Sequence, residues 1–272
     1  MKIEYIKANP TENKTILVKT PVPRKEQAAR ASELLREDPD AEQVGFLEPA
    51  ENPAAAVRLQ MMGGEFCGNA SISAAAFMAE RSGIKPGETR NILLEVSGAD
   101  EPVECMVCRD DSKYIGTVDM PLPSDVREIS LEYEGWRFSR FAVFFPGIVH
   151  IIFERADLSA DYRSFAEKAI KQWAGQFEEE AVGLILLEEE RSEITPLVYV
   201  KSTDSLYWER GCGTGTAAAG VYLSCRNKAS MNVPVKQPGG IISAVTVFEE
   251  GIVKSLKITG GVYFENEGFI NK

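Results

Sequence analysis

Histidine is almost missing from this sequence: His150 is the only one among 272 residues. A zinc site of the usual histidine and cysteine kinds would have to draw mostly on thiols, so no metal is expected. Long apolar runs are missing as well. Nothing reaches the roughly 18 apolar residues that a membrane-spanning helix needs, so no membrane partner is expected. The first residues, MKIEYIKANP, lack a basic stretch followed by an apolar one, which reads as a cytoplasmic chain without a secretory leader. Basic residues are outnumbered, with 30 Lys and Arg against 41 Asp and Glu and a net charge of -11. That balance argues against nucleic acid as a partner, because phosphate neutralisation needs basic patches. It also removes any bulk attraction for anions, so an anionic substrate group would have to be held locally, as at helix N-termini.

Cysteine is present in an odd number, five: Cys67, Cys105, Cys108, Cys212 and Cys225. Without a secretion signal these read as free thiols rather than a disulfide framework. Cys225 lies in the apolar part of a helix and reads as a small core residue. Cys105 and Cys108 share a strand-like segment, where residues three apart face opposite ways, and no second pair completes a metal site.

The length suits two domains of roughly 130 residues. Strands are expected at 14–19, 43–47 and 56–61, with a polar helix over 24–37 between the first two. A small-residue helix is expected over 70–80, directly after Gly63-Gly64-Glu65-Phe66-Cys67-Gly68-Asn69. Residues 91–119 read as strands, and Pro121-Leu122-Pro123 reads as a crossover. The plan then recurs. Strands fall at 136–144 and 150–154, a helix at 162–176, and strands at 183–188 and 196–202. Glu209-Arg210-Gly211-Cys212-Gly213-Thr214-Gly215-Thr216 opens a second Ala-rich helix, 217–228.

The two cysteine segments, 67–75 and 212–220, overlay with three identical positions at an offset of 145, about half the chain. This predicts a duplicated domain. A cysteine at a helix start faces unpaired backbone N–H groups and the positive end of the helix dipole, both of which favour thiolate. The following glycines, Gly68 and Gly213, let a ligand approach the backbone, and Asn69 and Thr214 add polar contacts. Two such cysteines on opposite sides of one carbon suit stereochemical inversion. One takes the Cα proton and the other delivers a proton to the opposite face, while aimed N–H donors stabilise the carbanion.

At these residues the chain resembles the diaminopimelate epimerase superfamily of PLP-independent racemases and epimerases. Cys67-Gly68-Asn69 corresponds to its first signature, and Glu209-Arg210 followed by Cys212-Gly213-Thr214-Gly215 to its second. The resemblance implies an α+β fold of two pseudo-symmetric domains, each a mixed β-sheet or barrel wrapped around a central helix. The halves expected are residues 1–120, joined by the returning C-terminal strand 261–272, and residues 121–260. It implies no cofactor, an amino-acid substrate, and a homodimer. Cys67 and Cys212 would be the acid–base pair, and His150 and Glu209 would assist them. Gly68, Asn69, Gly213 and Thr214 would cradle the α-carboxylate and α-amino end, with Asn13 close by. His150 also reads as a core histidine, and Glu209 as a surface charge. Arg210 either binds a carboxylate or neutralises Glu209.

The departures bear on substrate. Where the epimerases carry Asn-Pro-His, this chain has Ile148-Val149-His150, and a later Asn-Val position reads Ala181-Val182. Groups that would bind the polar distal end of diaminopimelate are missing, so that substrate should bind weakly. The combination of both signatures with a short linker before Cys212 resembles the histidine racemases of the superfamily, with Glu48 placed to meet an imidazole N–H. The alternatives are diaminopimelate epimerase, a proline racemase relative (which the Glu209-Arg210 pair disfavours), and a non-catalytic amino-acid-binding protein.

Overall fold

The computed structural model describes residues 2–154, 159–202 and 204–271. It divides into two compact units, Met1–Asp119 with Ile258–Lys272, and Met120–Lys257.

In the first unit the order is β1 (Lys2–Pro10), β2 (Thr15–Val18), α1 (Arg24–Glu37), β3 (Gln43–Glu48), β4 (Val57–Met61), α2 (Gly68–Arg81), β5 (Thr89–Val96), β6 (Val103–Asp110) and β7 (Lys113–Asp119). These strands pair in sequence order. The C-terminal strand β16 (Ile252–Asn271) then bonds to β7 and antiparallel to β1, from Lys2↔Asn271 to Pro10↔Val262, closing a ring. Helix α2 runs against six of the ring's strands. Its composition explains how it fits there. Alanines and serines keep the helix thin, while Ile72 and Phe77 fill the remaining space, each burial being favourable by about 1.5–3 kcal/mol. Gly116 on β7 completes the fit, because a Cβ there would lie 2.5 Å from Ile72 Cγ2. Helix α1 packs outside on β3 through Ala31 and Leu34.

The second unit contains β8 (Asp125–Tyr133), β9 (Trp136–Phe145), β10 (Ile148–Glu154), α3 (Ala160–Trp173), β11 (Ala181–Glu188), β12 (Glu193–Val200), β13 (Ser205–Trp208), α4 (Gly213–Asn227), β14 (Met231–Gln237), β15 (Gly240–Glu249) and the start of β16. The strands lie in the order β16-β15-β14-β12-β11-β10-β9-β8, with β13 beside β12. Helix α4 packs on β15, β14, β10, β11 and β9. Helix α3 contributes Ala166, Ala169, Ile170 and Trp173 to a separate apolar cluster with Val149, Ile151, Leu184 and Leu186. Trp173 stacks on Phe153 at 5.7 Å between ring centroids.

In each unit a helix connects a parallel strand pair twice. In the first these are β2–α1–β3 and β4–α2–β5; in the second, β10–α3–β11 and β12–α4–β14. The helix expected at 24–37 is α1 itself. The two cysteine-led helices begin earlier than their apolar runs suggest, at Gly68 and Gly213, because the cysteine side chains cap them. Four strands were not expected: β1, β8, β13 and β14. In β1 and β8, lysines, glutamates and an arginine interrupt the apolar alternation, and pairing across the ladder holds segments whose local propensity is weak. No helix of the described residues is long and apolar enough to cross a membrane.

Candidate active site

Cys67 is the N-cap of α2 in an extended conformation, φ -130 and ψ 111. Its sulfur accepts the Ala70 N–H at 3.4 Å. The thiol also donates to the Gln43 side-chain carbonyl, Oε1, at 3.3 Å. Gln43 is held in turn, its Nε2 donating to Asn13 Oδ1 and Thr15 Oγ1, both at 2.8 Å. Asn69 Nδ2 donates to the same Asn13 oxygen at 3.0 Å. Asn13 Nδ2 donates to Glu42 at 2.5 Å. Asn13 is thus the hub that ties Asn69, Gln43 and Glu42 to the Cys67 end of α2.

Cys212 is the N-cap of α4, with φ -109 and ψ 109. Its sulfur accepts the Gly215 N–H at 3.2 Å, and Thr214 Oγ1 lies 3.6 Å from it. Gly215 lets the helix start pack closely here, since a Cβ would sit 2.8 Å from Ile185 Cδ1 and 3.0 Å from the sulfur. Thr214 Oγ1 is also 2.9 Å from His150 Nε2. His150 is wholly buried on β10 opposite Gly183 of β11, where a Cβ would fall 2.1 Å from its Nδ1. Burial lowers the imidazole to about 3, so it is neutral at physiological pH.

The expectation that a helix start makes a thiolate is reversed at Cys212. Burial pushes its thiol well above the ordinary range, and the Glu209 carboxylate beside it adds to the rise by charge and hydrogen bonding. The Thr214 and Gly215 donors pull the other way and are outweighed.

The structure therefore gathers Asn13, Cys67, Gly68 and Asn69 at one helix start, and His150, Glu209, Cys212, Gly213 and Thr214 at the other. Arg210 adjoins the second group, its carbonyl accepting the Gly239 N–H at 2.7 Å. Glu48 belongs to neither. It ends β3, five residues from Gln43, which at a strand rise of about 3.3 Å per residue is roughly 16 Å away and on the opposite face. Its carboxylate accepts from Arg24 Nε at 2.9 Å, Arg24 Nη2 at 2.7 Å and Gln27 Nε2 at 2.5 Å. Its carboxylate is thus committed to α1 and not to the Cys67 end of α2.

Three residues that local reading passed over join the two groups: Glu42 and Gln43 at the first, and Gln237 at the second, where its Oε1 accepts the Cys212 N–H at 2.7 Å. Strand register brings them in. Gln43 pairs with Thr15 across β2–β3, and Gln237 ends β14. Cys105 faces the core and burial raises its thiol; Cys108 points the other way along β6. Among the described residues no three metal-ligating side chains converge.

The fold is that of amino-acid racemases and epimerases. A probable proline racemase from Agrobacterium radiobacter K84 superposes with a TM-score of 0.72 at 14% identity, covering 99% of this chain and 93% of that one. A hydroxyproline epimerase from Agrobacterium vitis gives 0.69 at 13% identity, covering 99% and 92%. Sequence narrows the class. Residues 2–271 match the family described as histidine racemase CntK N-terminal domain. A histidine racemase of Staphylococcus aureus (strain Mu50) is 30% identical over 97% of this chain and 98% of its own length. One from Fusobacterium nucleatum subsp. nucleatum is also 30% identical, over 91% of each. The chain belongs to the histidine racemase family.

Proposed function

We propose that this protein interconverts L- and D-histidine without a cofactor, with Cys67 and Cys212 as its two acid–base groups. The observation that carries the reading is that each unit ends one strand–helix passage in a cysteine N-cap set among polar side chains. In the forward step one sulfur, as thiolate, takes the Cα proton. The C–H electron pair stays on the substrate as a carboxylate-stabilised carbanion, and the other thiol protonates the opposite face. The thiol that gave its proton becomes the base for the return. Backbone N–H groups at the starts of α2 and α4 would hold the carboxylate and the charge that develops on it. Raised thiols such as Cys212 suit the donor role, and Glu209 would take or return its proton.

Asn13, Asn69, Gly68, Gly213 and Thr214 would bind the amino-acid end. Of the carboxylates near Cys67, Glu42 is the one tied to Asn13, and it replaces Glu48 as the candidate partner of the imidazole N–H. The units are proposed to be duplicated domains, supported by the two helix-linked parallel strand pairs in each and by the cysteine N-cap that starts the second α-helix of each. A homodimer in the cytoplasm is proposed on the family resemblance alone.

The test is L-histidine in heavy water with deuterium read at Cα, alongside loss of optical activity. Cys67→Ser and Cys212→Ser should each lower racemisation by at least about 100-fold, the usual scale for a removed acid–base group. Full activity in either variant overturns the mechanism. Faster turnover of LL-diaminopimelate than of L-histidine would favour the epimerase reading, which Ile148 and Ala181 oppose. Absence of any exchange would leave the amino-acid-binding reading.

A further inference from the structure

Gln237 is buried at the end of β14, 3% exposed, and its hydrogen bonds form a closed circuit around the Cys212 backbone. Its Oε1 accepts the Cys212 N–H at 2.7 Å. Its Nε2 donates to Thr216 Oγ1 at 2.8 Å. Thr216 Oγ1 lies 2.7 Å from the Cys212 carbonyl oxygen and donates to it. Every direction is forced. A backbone N–H only donates, so the amide oxygen must face it and the amide nitrogen must face Thr216. Thr216 then accepts from the amide, and its own proton is left for the carbonyl, which only accepts. The segment is pinned a second time where the Gly239 N–H reaches the Arg210 carbonyl at 2.7 Å.

We propose that Gln237, acting with Thr216, is a positioning residue for Cys212: it fixes the cap backbone so that the sulfur stays on the Gly215 N–H and in line with the substrate carbon. The inference rests on the proposed racemase mechanism. It adds a residue 25 positions downstream of Cys212 that no local motif contains. At the other helix start, a glutamine holds the sulfur itself: Gln43 Oε1 accepts a hydrogen bond from the Cys67 thiol. At Cys212 the sulfur is left to Thr214, Gly215 and Glu209, and the glutamine holds the main chain.

The experiment uses the full chain with Gln237→Met, which keeps the length and removes both bonds, and Thr216→Val, which removes only the hydroxyl. Thr216→Ser is the conservative control. The expected result is a kcat for L-histidine lowered about 10–100-fold in the first two variants, since small misplacements of a reacting group cost on that scale. KM should change by less than about threefold, and Thr216→Ser should retain most of the wild-type rate. The kinetic isotope effect with α-deuterated histidine should rise in the slow variants, because proton transfer becomes more fully rate-limiting. A loss of folded protein alone would leave that isotope effect unchanged. Hydrogen exchange of the Cys212 amide should accelerate at least about tenfold in Gln237→Met. Wild-type kcat in both variants, or a fall in kcat with an unmoved isotope effect, overturns the proposal. If the unmodified protein releases no α-proton, the racemase reading fails instead, and an unaccelerated Cys212 amide would then still refute the circuit.

Discussion

At the start of α2 Cys67 is partly buried, and its thiol donates a hydrogen bond to a side-chain carbonyl. At the start of α4 the sulfur of Cys212 is buried, with a carboxylate, a hydroxyl and a backbone N–H around it. The backbone is nearly the same in both places: a cysteine N-cap, a glycine next, and a hydroxyl four residues on that bonds the cysteine carbonyl, Ser71 at 2.8 Å and Thr216 at 2.7 Å. What differs is solvation. A helix N-terminus favours a negative charge by about 0.3–1 kcal/mol, less than one pKa unit. Full burial opposes it by up to about 3–5 units. Where the two compete, as at Cys212, burial decides, and a shared motif does not guarantee a shared ionisation state. The Glu209 carboxylate adds to the rise at Cys212, and the Thr214 hydroxyl opposes it.

The strongest way to break this asymmetry is to disturb His150 alone. Gly183→Ala would drive a methyl into the imidazole, since its Cβ position is 2.1 Å from Nδ1. The ring is wholly buried, so overpacking should cost about 1–3 kcal/mol in chemical denaturation. The Thr214 hydroxyl should lose its fixed partner, and kcat should fall at least about tenfold with the thiol–Gln43 contact of Cys67 untouched. Wild-type stability and turnover in Gly183→Ala would mean that His150 neither fills that space nor supports Thr214.

Gly183 also shows why only part of this molecule was legible in advance. Helices α1, α2 and α4 and most strands followed from periodicity and caps, because those signals are local. The two cysteines were visible because Cys-Gly recurs before an Ala-rich run. The partners were not. Gln43 reaches Cys67 only because β2 and β3 pair parallel in one register, and Gln237 reaches Cys212 only because β14 ends where α4 begins. Glu48 was suggested by family resemblance; it ends the strand that Gln43 begins, on the other face, and its carboxylate bonds α1. Pairing register is a long-range property, and one chain's composition does not encode it openly.

A smaller effect separates the two helix starts by pH. His150 sits in the Cys212 group and is the chain's only histidine. Burial holds its folded-state pKa at about 3, below the ordinary 6.5 that it regains on unfolding. The unfolded chain therefore binds a proton between those values that the folded chain does not. This contribution to stability is complete above about pH 6.5 and is lost as the pH falls toward 3, at close to 1.4 kcal/mol per pH unit. Denaturation curves between about pH 5 and 6.5 should show that slope, and His150→Asn should flatten it by about one proton. An unchanged slope in the variant would show that the imidazole is protonated in the folded protein, and the neutral His150–Thr214 contact would have to be abandoned.

The smallest expected effect tests where the Cys67 group ends. Glu48 is held in a two-pronged contact by Arg24 and receives Gln27, all within reach of α1. Arg24 is half exposed, so solvent screens the pair, and exposed pairs are worth about 0.2–1 kcal/mol. Glu48→Gln should lower stability by about that amount and leave the KM for L-histidine within about twofold. Glu42→Gln, by contrast, removes a carboxylate bonded to Asn13 and should raise that KM several-fold. The pair of variants is informative because both change the same side-chain type on neighbouring stretches of the first unit. A KM effect confined to Glu42→Gln places the imidazole at the Asn13 hub. An effect confined to Glu48→Gln would require α1 to move away from β3 when substrate binds, since its arginine and glutamine now occupy that carboxylate.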